Sequence, residues 1–168
     1  MNKRLASAAA AALMAMTMSV APPASAESFR DVLRRIANEA SVHQQGRGNG
    51  AAIAQNGAAN TSVIDQNGDN HTASIRQNGD ANSAGIRQIG RNNNGAIIQN
   101  GSGNDACLVQ FGRNVNGEIV QNGNDGRTGV LQTQHASAPI PVEMCQADRH
   151  HATGLLVAAA RLSILGRR

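Results

Sequence analysis

Aromatic residues are almost missing from this chain of 168 residues: it has no Trp, no Tyr and two Phe. Large apolar side chains normally supply the burial free energy of a core, about 1.5–3 kcal/mol for each one fully buried. Much of the 40% hydrophobic content is Ala, so an ordinary globule is excluded. Without aromatic platforms for bases, and with six Arg balanced by six acids across residues 44–132, the pI of 10.4 does not describe a nucleic-acid binder. Long apolar runs are also wanting. The stretch after Arg4 is Ala-dominated and short for a membrane span, and the apolar C-terminal stretch from Gly154 is shorter still. Cysteine is limited to Cys107 and Cys145. They can pair in an oxidising compartment, but sequence does not set their separation.

Glycine, by contrast, is abundant, with 18 residues, and Asn and Gln accompany it. Such a composition usually marks disorder. A strict period argues against that, because disorder requires no register. Residues 1–26 stand apart from the pattern. Asn2-Lys3-Arg4, an apolar stretch and Ala24-Ser25-Ala26 form a signal peptide with a small-x-small cleavage site. The expectation is an exported protein whose mature chain starts at Glu27 and carries a formal charge of +2 once Lys3 and Arg4 are gone from the total of +4.

From Gln44 the chain divides into eight gapless blocks of eleven residues, of which QNGDNHTASIR and QNGDANSAGIR are two. The first position is Gln44, Gln55, Gln66, Gln77, Gln88, Gln99, Gln110 and Gln121, and Gln132 closes the series. The third position is Gly46, Gly57, Gly68, Gly79, Gly90, Gly101, Gly112 and Gly123. The sixth is Asn49, Asn60, Asn82, Asn93 and Asn104, with His71, Val115 and Gly126 as exceptions. The eighth is always small and the tenth always Ile, Leu or Val. A fixed period means an array of like structural units.

An eleven-residue repeat can describe a right-handed coiled coil, but that seam needs apolar residues three and four apart. Here the patterned positions are spaced by two, the period of a strand, and a Gly in each block would cost a helix about 1 kcal/mol every time. The reading is therefore all-β. Asn, the small residue, Ile and the next Gln face inward along a strand of about seven residues, and x-Gly-x-x turns the chain. A flat meander would leave its Asn and Gln wet and free to vary. A β-solenoid with two blocks per coil places each Gln about 4.8 Å from the Gln of the next rung, where the amides can satisfy one another in a ladder. Only the stack explains the constancy of the polar residues. It also brings Asp65 beside Arg87.

The unit Gln77-Asn78-Gly79-Asp80-Ala81-Asn82-Ser83-Ala84-Gly85-Ile86-Arg87-Gln88 resembles the curlin repeat of bacterial curli subunits. The resemblance covers residues 44–132. It implies an amyloid-like cross-β subunit, secreted to the cell surface, that polymerises into fibres for adhesion and biofilm matrix. It also implies partners: further copies, other curli subunits including a minor nucleator, and an outer-membrane secretion channel with its accessory proteins. The ladder Gln and Asn and the turn Gly named above become the self-assembly residues.

Two flanks depart from the family pattern. Residues 27–43 place Phe29, Val32, Leu33, Ile36 and Ala40 on one helical face, as a helix on the first rung or an export segment. Residues 133–168 end in an apolar, Arg-terminated stretch that suits a cap on the last rung, a membrane-surface contact or an appendage. If both flanks cap, fibre growth is weakened. Val115 and Gly126, together with the Arg-bearing tail, keep the nucleator role open. Catalysis finds no support, since the acids are scattered and His71 occupies a ladder slot. His135, Cys145, His150 and His151 fit no closed zinc site, and no calcium-roll pattern or phosphate loop is present. The reading is a structural protein rather than an enzyme, with no cofactor. Its rival is a capped, soluble solenoid serving as an adhesin or ice-binding surface, for which Thr61 and Thr72 form a poor rank.

Overall fold

The computed structural model describes residues 36–146. The signal peptide, residues 27–35 and the stretch after Gln146 lie outside them. Strands β1 (Glu39–Gln45), β3 (Thr61–Asp69), β5 (Ser83–Arg91), β7 (Asp105–Arg113) and β9 (Arg127–Thr133) form one sheet, with a short β10 (Ser137–Pro139) at its edge. Strands β2 (Gly50–Asn56), β4 (Thr72–Asn78), β6 (Asn94–Asn100) and β8 (Asn116–Asn122) form the other. Apart from β10, pairing within each sheet is parallel with a constant offset, Gln66 to Gln88 and Ile64 to Ile86 in one, Gln77 to Gln99 and Ile75 to Ile97 in the other. Consecutive strands therefore alternate between sheets, and two blocks make one coil. The helix α1 (Glu143–Gln146) follows β10.

The core is the predicted thin layer. Ile64, Ile75, Ile86, Ile97, Leu108 and Ile119 meet Ala73, Ala84 and Ala106 between the sheets. Small residues are required at the eighth position because the glutamines of the facing strand lie against it. A Cβ on Gly95 would come within 3.1 Å of Gln110 Oε1 and 3.2 Å of Gln88 Nε2. The turn glycine has a second duty besides its conformation. Gly79 has φ of 118°, and a Cβ there would sit 2.0 Å from the carbonyl oxygen of Gly101 on the next rung. Two positions later the chain again enters the left-handed region. Ala59, Asn70, Ala81, Asn92, Asn114 and Asp125 have φ between 54° and 58°, which Asn and Asp adopt more readily than Ala.

The coil starts earlier than Gln44. Asn38, Ala40, Val42 and Gln44 occupy the sixth, eighth, tenth and closing positions of a ninth unit, and β1 pairs with β3 over seven residues in register. Ala40 therefore lies on a strand, which corrects its placement on a helical face with Ile36. The unit is hard to see because Leu33 and Arg35 stand where Gln and Gly would be. Among the described residues the helical flanks reduce to α1 and the end of a turn at Ile36.

Candidate functional site: amide ladders and the ends of the coil

The inward glutamines line up in two files, one per sheet. In the odd sheet each Nε2 donates to the Oε1 of the next: Gln44 to Gln66, then Gln88, Gln110 and Gln132, at 2.7–3.1 Å. In the even sheet Gln55, Gln77, Gln99 and Gln121 do the same at 2.8–2.9 Å. Every amide points the same way, with oxygen toward the N-terminal end of the stack and nitrogen toward the C-terminal end. From Gln55 to Gln121 each glutamine has a second bond that the sequence pattern did not reveal. Gln66, Gln77, Gln88 and Gln99 also donate across the core to the carbonyls of Gly50, Thr61, Thr72 and Ser83, at 2.9–3.1 Å. These carbonyls belong to strand starts, where the backbone turns its oxygen inward. Gln thus tethers neighbouring rungs and both sheets together.

The asparagines behave differently from the expected amide-to-amide ladder, and that expectation is corrected. Asn60 Oδ1 accepts the backbone N–H of Asn82 at 3.0 Å, and its Nδ2 donates to the Gly79 carbonyl at 2.8 Å. Asn38, Asn49, Asn82 and Asn104 clamp the backbone of the following rung in the same way. A side chain of this length facing a tight turn reaches backbone groups before it reaches its neighbour's amide. His71 substitutes for the accepting half of the clamp. Asn93 N–H donates to its Nδ1 at 3.2 Å, so Nδ1 is bare, and the proton is on Nε2, 3.3 Å from the Asn67 carbonyl. Among the described residues no buried side-chain N or O lacks a partner, as a polar interior requires.

Val115 and Gly126 gain an explanation from this geometry. Their N–H groups still donate to Asn93 and Asn104, at 3.1 and 3.0 Å. They have no amide to offer onward, and their strands β8 and β9 end the parallel stack. The accepting half of the clamp is present wherever another described parallel rung follows and absent where none does.

On the outside, charges pair along the stack. Asp65 and Arg87 lie 3.5 Å apart as expected, and Asp69–Arg91 and Asp105–Arg127 follow at 3.7 and 3.6 Å. An outer ladder that was not foreseen links Asn78 to Asn100 and Asn100 to Asn122, each at 2.9 Å. Its signal, Asn at the second position of most blocks, was read as turn chemistry alone. Burial raises the pKa of Asp105 above the usual 3.8; Arg127 and a hydrogen bond with Ser83 oppose that rise, and Glu143 adds to it.

The described part of the C-terminal flank, up to Gln146, is docked on the coil. Cys107 and Cys145 form a disulfide with their Cα atoms 5.5 Å apart. Val142 and Cys145, with Ile140 and Met144, pack on Cys107, Val109 and Leu131 on the outer face of the odd sheet. Two glycines outside the turn motif clear the way. A Cβ on Gly85 would lie 2.4 Å from Cys145 Cβ, and one on Gly129 would lie 2.1 Å from the Ile140 carbonyl oxygen. Strand-interior glycine and outward apolar residues at these positions are the signal that could have revealed the dock.

Among the described residues no three His, Cys, Asp or Glu side chains gather to hold a metal, and no helix is long and apolar enough to cross a membrane. The repeated features of the arrangement are parallel strands in constant register and directional amide files. The family model described as Curlin associated repeat matches residues 37–66, 49–79 and 79–112. Its first match takes in Asn38 and β1. No curated protein matches the chain.

Proposed function

The chain is a curlin-repeat protein, and from that premise we propose that it is a secreted structural subunit of extracellular curli-type amyloid fibres, used for surface adhesion and biofilm matrix. The ladder glutamines and asparagines and the turn glycines are then its self-assembly residues. Its partners are other repeat subunits, with an outer-membrane channel and accessory proteins for export.

The observation that carries this reading is the exposed inner surface of the first rung. Val42 points inward yet is 46% exposed, whereas Ile64, its neighbour on the next rung, is 0% exposed. An inward apolar residue and the Oε1 atoms of Gln44 and Gln55, at strand edges unpaired among the described residues, support templating of another chain. Within the fibre, a minor nucleating or end-forming subunit is the second reading, favoured by the missing clamps at Val115 and Gly126. The ice-binding alternative loses its rank of threonines, because Thr61 is on β3 and Thr72 on β4, in different sheets.

The test is incubation of the mature chain at micromolar concentration, with and without a dithiol reductant and with preformed seeds. Seedable, thioflavin-positive fibres with a meridional reflection at about 4.8 Å support the reading. A monomer that persists under all these conditions, and that no seed incorporates, returns the protein to the class of capped, soluble binding modules.

A further inference from the structure

The two ends of the coil are built for opposite purposes. At the N-terminal end, among the described residues, no strand pairs with the outer edges of β1 and β2, and Val42 is left open. At the C-terminal end β10 runs antiparallel along the outer edge of β9. Ile140 N–H donates to the Gly129 carbonyl at 2.9 Å, and Thr133 N–H donates to the Ala136 carbonyl at 2.8 Å. A parallel rung cannot add to an edge already occupied in this way. The inward residues of β8 are covered, Ile119 being 4% and Gln121 7% exposed. The clamping amide is missing at Val115 and Gly126. Gly85 and Gly129 are bare where the segment crosses, Arg127 is paired with Glu143, and the disulfide fastens the segment to β7.

We propose that residues 134–146 are an autoinhibitory latch: with Cys107 and Cys145 joined, the subunit has one growth-competent face, formed by β1 and β2, and its C-terminal end terminates the stack. This rests on the fibre reading above. Opening the latch takes a dithiol. Its thiolate attacks the Cys107–Cys145 bond, a mixed disulfide forms and resolves, both cysteines leave as thiols, and the dithiol becomes a disulfide. Two electrons and two protons pass to the protein. β10 then depends on its few backbone bonds and apolar contacts alone, and the β9 edge with Gln132 becomes available to a second chain.

The experiment compares the oxidised chain, the chain reduced with dithiothreitol and the Cys107→Ser/Cys145→Ser variant. The expected result is loss of self-elongation in the oxidised form and elongation in the other two, fastest when Val115→Asn and Gly126→Asn are added to the double-serine variant. Hydrogen exchange provides a readout that does not depend on fibres. The amides of Thr133 and Ile140 lose protection on reduction, while those of Ile64 and Ile86 keep it. In two-colour imaging, oxidised chain added to growing double-serine fibres stops one end of each fibre and leaves the other growing. Equal elongation of oxidised and double-serine chains, or oxidised chain that stops neither end, overturns the latch and leaves the fibre reading standing. If no form elongates and none is taken up by seeds, the fibre reading itself fails and the latch with it.

Discussion

Replacing Gln88 by Leu keeps the side chain's bulk and removes its amide from the middle of a file. Gln88 is fully buried. Its Nε2 donates to Gln110 Oε1 at 2.8 Å and to the Thr72 carbonyl at 2.9 Å, and it receives Gln66 Nε2 at 2.8 Å. The substitution orphans the Gln110 oxygen, while Gln66 keeps its bond to Gly50 and the Thr72 carbonyl keeps its place in the ladder between β4 and β6. At about 1–3 kcal/mol for the orphaned oxygen and about 0.5–1.5 kcal/mol for each of the other two lost bonds, less about 2 kcal/mol for burying a leucine, the net loss is about 0–4 kcal/mol, centred near 2 kcal/mol. At that centre the melting temperature falls by roughly 8 °C for a domain of this size. Gln45→Leu is the matched control. Gln45 is exposed on the outward side of β1 and belongs to neither file, so its loss should stay within about 0.5 kcal/mol. The pair Gln88→Leu/Gln110→Leu should cost clearly less than the two single losses combined, because each change removes the group the other had orphaned. Urea titration of the oxidised chain, followed by far-ultraviolet circular dichroism, measures all four. Equal losses at Gln88 and Gln45, or strict additivity in the double variant, would refute the account of glutamine as a mutually dependent file.

Two further outcomes follow from single positions. Gly79→Ala meets both a left-handed φ of 118° and the Gly101 carbonyl at 2.0 Å. It should lose at least about 1–3 kcal/mol in the same titration, whereas Gly50→Ala, with nothing within 4 Å, should change stability little. Asp105 binds its proton more tightly in the folded chain, chiefly because of burial. Its favourable contribution is therefore complete below pH 3.8 and is lost as pH rises through the folded value. The stability of the native chain relative to Asp105→Asn should thus decline from acid toward neutral pH, and a flat difference between them would contradict the burial argument.

The parts of the fold legible in the sequence are those repeated under one physical constraint. Spacing by two sorted Ile64 and Gln66 inward and Asp65 outward, and the need to satisfy buried amides turned that sorting into a stack. Asn60 was correctly placed but its partners were not, because hydrogen-bond reach depends on the path of the next turn. Strand β1 was hidden because Leu33 and Arg35 stand where the Gln and Gly of its unit would be. The latch was the least legible element. Its parts, Gly85, Cys107, Val109, Gly129 and Leu131, are scattered over three strands and gain meaning only once the coil brings them onto one patch.

Among the described residues the parallel coil has nine strands, five in one sheet and four in the other, and this odd number governs any continuation of them. After β9 the next half-turn belongs above β8, so the β1 of a following molecule must enter the sheet opposite to its own. Successive molecules in an unbroken stack would be related by a half-rotation about the axis. Each lateral surface of such a filament would then show the Asn78–Asn100–Asn122 side of one molecule and the Cys107–Cys145 side of the next, an alternation with a repeat of two molecules.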